Sequence, residues 1–238
     1  MKRLLAFFII SALLFALSAC GSDAPSAPLV DVGASPALSG ADSIGSDAAA
    51  FNAENGKTPA ARVDDTAAAI YNGTEGITLY GAAAYTNTGD CPIIIESADF
   101  TFTAGGETFE HSFVPPLAEY AVLMPGETSF LTAWAPQASE TALSAGMEVS
   151  LSVSLTPRRA EAARTLLLVD RLYLADNYPN FTTLSGRITC AGALGCEMNV
   201  IHIGFYDAEG TFLGAWYFTK NTLLEGDESK NFVVQMYG

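Results

Sequence analysis

The stretch Ala98-Asp-Phe-Thr-Phe-Thr-Ala-Gly-Gly-Glu-Thr-Phe-Glu-His-Ser-Phe113 decides the fold class. If Gly105-Gly106 is a two-residue turn, the chain folds back with Phe102 opposite Phe109, Phe100 opposite His111 and Ala98 opposite Phe113. The other face receives Asp99, Thr101, Thr103, Thr108, Glu110 and Ser112. Such a split has period two, which only a strand can present, and adjacent glycines supply the positive φ a tight hairpin requires. The chain therefore reads as all-β in this region.

Working outward, further segments alternate in the same way. Gly76–Asn87 precedes the hairpin, Thr128–Ala135 follows it, and Met147–Thr156 closes the first domain. Phe181–Ala191, a second hairpin and Lys230–Tyr237 repeat the order, and Thr165–Leu174 opens this second copy. The two copies share a frame. Leu79, Gly81, Cys91, Phe100 and Gly105 align without a gap with Leu184, Gly186, Cys196, Phe205 and Gly210, and "LMPGE" (Leu123–Glu127) answers "LLEGD" (Leu223–Asp227). Repetition of a strand frame predicts two tandem β-sandwich domains of immunoglobulin-like type, over residues 62–157 and 163–238. In the second hairpin the turn Asp207–Gly210 pairs Phe205 with Phe212, Ile203 with Gly214 and Ile201 with Trp216. The segment Thr156–Arg164 is the expected boundary.

The N-terminal part is not expected to join either domain. Lys2 and Arg3 precede an apolar run, Leu4–Leu17, too short to span a bilayer comfortably. "LSAC", Leu17–Cys20, resembles the bacterial lipobox. The resemblance implies a signal peptide at 1–19 and acylation of Cys20 with a diacylglycerol carrying palmitate-type chains. Residues 20–61 are rich in Ala, Ser, Gly, Pro and Asp. Too few large apolar side chains are present to offset backbone entropy, so a disordered tether is expected. About 40 such residues would span roughly 35 Å. The implied location is the cell envelope, lipid-anchored outside the cytoplasmic membrane. The composition is acidic, 11 Lys and Arg against 26 Asp and Glu. Phosphate backbones repel such a chain, which argues against nucleic acid as a partner.

The second copy, "LSGRITCAGALGCEMNVIHIGFYDAEGTFLG" with "LLEGDESKNFVV" downstream, resembles the FxLYD-type domain of bacterial secreted proteins and lipoproteins. Tyr206-Asp207 and Gly210 carry the match. Ile203 and Phe205 stand where that family has Phe and Leu. The resemblance implies an immunoglobulin-like fold and an extracytoplasmic location, with no chemistry to carry over.

Candidate chemistry is sparse. Cys190 and Cys196 could close a disulfide, or remain two small buried thiols. His111 and His202 lie in different copies with no cysteine pair at metal spacing, so no metal site and no cofactor is expected. Glu96 falls on the inward phase of its strand. It would be a buried acid unless a bulge or the strand's solvated end turns it outward. Asn72-Gly73-Thr74 and Asn180-Phe181-Thr182 are sequons, incidental in a bacterial lipoprotein. On the second hairpin the outer phase gathers Met198, Val200, His202, Tyr206, Leu213 and Tyr217. Met198, Val200, Tyr206, Leu213 and Tyr217 form the candidate interface, either for a partner or for the first domain of the same chain. The resulting expectation is a non-catalytic binding or structural module whose partner is a protein or a polysaccharide. A surface carbohydrate-binding module is the alternative, and an envelope enzyme using a carboxylate acid comes third.

Overall fold

The first hairpin forms in the register its residues dictate. In the computed structural model Ala98 pairs with Phe113, Phe100 with His111 and Phe102 with Phe109. Gly105 and Gly106 turn the chain at φ 60° and 85°. The structure describes residues 58–73, 76–136, 143–144, 146–161, 167–177, 181–191, 195, 199–220 and 223–236. These residues are all-β, with 72% in strands and 1% in helix.

The strands are β1 (Ala61–Gly73), β2 (Gly76–Asn87), β3 (Ile93–Ala104), β4 (Glu107–Phe113), β5 (Thr128–Pro136), β6 (Val149–Arg159), β7 (Leu167–Asn177), β8 (Phe181–Cys190), β9 (Asn199–Tyr206), β10 (Phe212–Lys220) and β11 (Ser229–Met236). They form four sheets, in the orders β1-β2-β5, β4-β3-β6, β10-β9 and β11-β8-β7. The contacts divide the chain into two compact units. One contains β1 to β6 together with Val200–Phe218, and so most of β9 and β10. The other contains β7, β8 and β11. The hairpin read from sequence as part of residues 163–238 thus lies in the unit that contains β1 to β6.

In the first unit, sheets β1-β2-β5 and β4-β3-β6 enclose one core. Leu79, Ala83, Tyr85, Leu131 and Ala133 meet Ile93, Ile95, Phe100 and Phe102 across it. Close packing of the two sheets depends on Gly81. A Cβ there would lie 2.8 Å from Phe100 Cδ1 and 2.9 Å from Phe102 Cε1, inside van der Waals contact. Asn87 ends β2 in the same core at 1% exposure. Its Nδ2 donates to the carbonyls of Cys91 (2.8 Å) and Leu123 (2.9 Å), and its Oδ1 accepts from the Gly89 amide (2.9 Å). A buried amide with all these groups matched fixes the loop that leaves β2.

Two bulges adjust this unit, one in β1 between Val63 and Asp65 and the other in β3. Pairing of β3 with β6 slips between Ile95 and Ser97, so Glu96 is the extra residue. Its side chain is 58% exposed and lies 3.6 Å from Arg158. The inward carboxylate that strict alternation would give is absent because the bulge rotates Glu96 outward. Arg158 and Arg159, read as part of the boundary segment, pair with Ile94 and Ile93 at the end of β6.

The second unit repeats part of this design. Leu184, Ile188, Cys190, Leu224 and Phe232 are buried. Glu127 and Glu228 close matching turns, each accepting the amide three residues earlier, of Met124 and Glu225. Thr86 bonds Thr128, and Thr189 bonds Ser229, across equivalent strand pairs. Hydrogen bonding therefore matches Thr86 with Thr189, whereas the frame of Leu79 with Leu184 would match it with Ala191. The difference is two residues, which leaves every side chain on its own face. Periodicity alone is blind to such a slip.

Candidate functional site: the hairpin on the outer face of the first sheet

Strand β2 is apolar on both faces. Leu79, Ala83 and Tyr85 point into the sandwich, while Tyr80, Ala82 and Ala84 point out and are also buried. Hairpin β9–β10 covers that outer face with Phe212 and Ala215. The alanines keep the surface low, so a second layer can approach it. Tyr80 anchors the layer: its hydroxyl donates to the Ala215 carbonyl (2.6 Å) and accepts from the Ala215 amide (2.8 Å). Burial pushes the Tyr80 phenol up to about 12.

Phe130 of β5 supports one end of the hairpin. Its ring stacks on Phe212, with centroids 5.9 Å apart and planes 11° apart. Gly204 lies directly over the ring, and a Cβ at 204 would collide with Phe130 Cε1 and Cζ. His202 Nδ1 donates to the Phe130 carbonyl (2.6 Å), which fixes the tautomer. Burial lowers the His202 pKa, opposed by that hydrogen bond. Toward the other end an aromatic row runs across the layers. Tyr71 lies 5.5 Å and Tyr80 4.8 Å from Trp134, and Trp134 meets Trp216 edge-on at 5.8 Å. Trp134 is 39% exposed.

The second hairpin does not follow its sequence register. The Asp207 amide donates to the Thr211 carbonyl and the Gly210 amide to the Asp207 carbonyl, both at 3.1 Å. Gly210, at φ 85°, is an additional loop residue. Tyr206, not Phe205, consequently comes beside Phe212, with centroids 5.3 Å apart. A slip of one residue exchanges faces. His202, Gly204 and Tyr206, the expected outer phase, turn toward β5.

The candidate interface residues are accordingly distributed. Tyr206 rests against Phe130 and Phe212 and keeps 39% exposure. Its phenol pKa is raised by burial first, then by the charges of Asp65 and Asp64. Leu213 follows Phe212 in the strand and so points the opposite way, 38% exposed. Tyr217 is half-buried and its ring lies 6.2 Å from His202. Val200 is half-buried. Met198, Cys196 and Cys20 lie outside the described residues, as do Thr74 and Asn180 of the sequons. Cys190 is buried at the end of β8. His111 stacks on Phe113 at 5.6 Å. Among the described residues no group of three or more His, Cys, Asp or Glu is placed to hold a metal ion.

Sequence reading missed Tyr80, Phe130 and Trp134 as the receiving surface. The signal was present: Leu79–Tyr85 is continuously apolar, and Phe130 and Trp134 share the outward phase of β5. An apolar run of that kind marks a strand covered on both faces. The fold and this layer define an all-β, sandwich-type protein. No protein-family model matches the chain, and no curated protein matches it in sequence.

Proposed function

We propose that the chain is a lipoprotein of the cell envelope, held by acylated Cys20 outside the cytoplasmic membrane, and that its β-units act as non-catalytic binding or structural modules of the FxLYD type. The observation that carries the binding role is the aromatic row of Tyr71, Tyr80, Trp134 and Trp216. It is braced from within by a covered sheet and reaches solvent at Trp134. Rigid aromatic side chains with an exposed edge lose little entropy on contact and are favoured at interfaces. A protein partner suits it best, because tilted neighbours occupy the ring faces of Trp134. Polysaccharide is the second reading, favoured by the proximity of two indoles at a surface.

Two measurements test the proposal. Cys20→Ser should abolish lipidation and leave the protein unprocessed or released. An unmodified Cys20 in the membrane fraction of the wild type contradicts the anchor. Trp134→Ala should weaken capture of an envelope protein partner by about tenfold or more while leaving the fold intact. Retention on insoluble cell-wall or plant polysaccharide, lost in the same variant, would instead favour the carbohydrate reading.

A further inference from the structure

Among the described residues, hairpin β9–β10 meets the first sheet through few side-chain hydrogen bonds, and one of them is made by an imidazole. His202 projects from β9 into an apolar recess. Phe130 of β5 forms one wall, Phe113 at the end of β4 and Pro115 beyond it form another, and Trp216 and Tyr217 of β10 close it. Among the described residues no carboxylate, lysine or arginine lines this recess, and the Tyr217 phenol is the only other ionisable group among them there. The neighbouring imidazole, His111, stacks on Phe113 and does not line it. His202 Nδ1 already donates to the Phe130 carbonyl, and Nε2 is buried with no hydrogen-bond partner among the described residues.

We propose that His202 is an acid-sensitive latch: as a neutral imidazole it holds hairpin β9–β10 against the first sheet, and on protonation it releases the hairpin. A second proton would go on Nε2, placing a full charge in a largely apolar recess where that nitrogen meets no hydrogen-bond partner among the described residues; the hydroxyls in the lining are those of Thr132 and Tyr217. Undocking hydrates that charge. It also uncovers Tyr80, Ala82 and Ala84, an apolar face otherwise hidden. Burial sets the direction: the docked pKa lies below the ordinary value of 6.5. Docking is therefore complete above the ordinary value and is lost as pH falls through the docked one.

The chain carries its own reporter. Its two tryptophans lie on opposite sides of the latch, Trp134 on the sheet and Trp216 on the hairpin, 5.8 Å apart. Tryptophan fluorescence and near-ultraviolet circular dichroism of the full-length chain should be followed from about pH 8 to about pH 5. The latch predicts a one-proton transition with its midpoint below 6.5. His111→Gln should keep the transition and His202→Phe should abolish it. A transition that survives His202→Phe, or no transition in the wild type, overturns the proposal. Hydrogen exchange on the wild type decides the matter even if that variant folds poorly. Corrected for intrinsic rate, the Ala215 amide should lose at least tenfold protection at the acid end, while the β2 and β3 amides of the core keep theirs. Unchanged protection at Ala215 equally overturns the latch.

Discussion

Asn87 is a polar side chain buried in the first unit. It satisfies two carbonyls and one amide from a position at 1% exposure. Asn87→Ala removes the matching atoms and leaves their partners desolvated. Unmet buried groups cost about 1–3 kcal/mol each, so we expect a loss of about 3 kcal/mol in urea unfolding, because some partners will recover water. A loss under about 0.5 kcal/mol would show that the loop after β2 is held by other contacts. This role was not legible beforehand, since a strand-end Asn before Thr-Gly reads as an ordinary turn residue. Glu96 was more legible. Its strand phase offered two outcomes, and the bulge selected the exposed one.

At the scale of elements, the two hairpins show what limits a reading by alternation. Gly105-Gly106 admits one tight turn, so every pair from Ala98 to Phe113 followed correctly. Asp207–Gly210 admits two closures. Gly210 as a bulge residue shifts the register by one, and local sequence does not distinguish that from a two-residue turn. The consequence is large, because the exchanged face is the one that meets Phe130. Docking of this hairpin also depends on the protonated Tyr80 hydroxyl, which both donates to and accepts from Ala215. Tyr80→Phe should weaken docking by about 1–2 kcal/mol with the sandwich core intact, read as faster exchange of the Ala215 amide. Alkaline pH should act in the same direction. Burial raises Tyr80 and Tyr85 from 10.0 to about 12. Their contribution is present in full below the unfolded value and is lost as pH rises from there through the folded one. A wild-type stability that is flat across that window would contradict their burial.

For the whole molecule, the all-β class was legible. Assignment of the second hairpin to the first unit was not, because it rests on contacts between residues far apart in the chain, such as Tyr80 with Ala215. The unbroken apolar run Leu79–Tyr85 shows only that something covers the outer face, without naming what does. The account's central claim is that hairpin β9–β10 is the cover. Nuclear Overhauser effects in the full-length chain at neutral pH test it most directly. The account predicts cross-peaks between the Phe130 and Phe212 rings and between the Tyr80 ring and the Ala215 amide. It would be contradicted if both were absent while the core pair Phe100 and Phe113, 5.4 Å apart, gave its own cross-peaks.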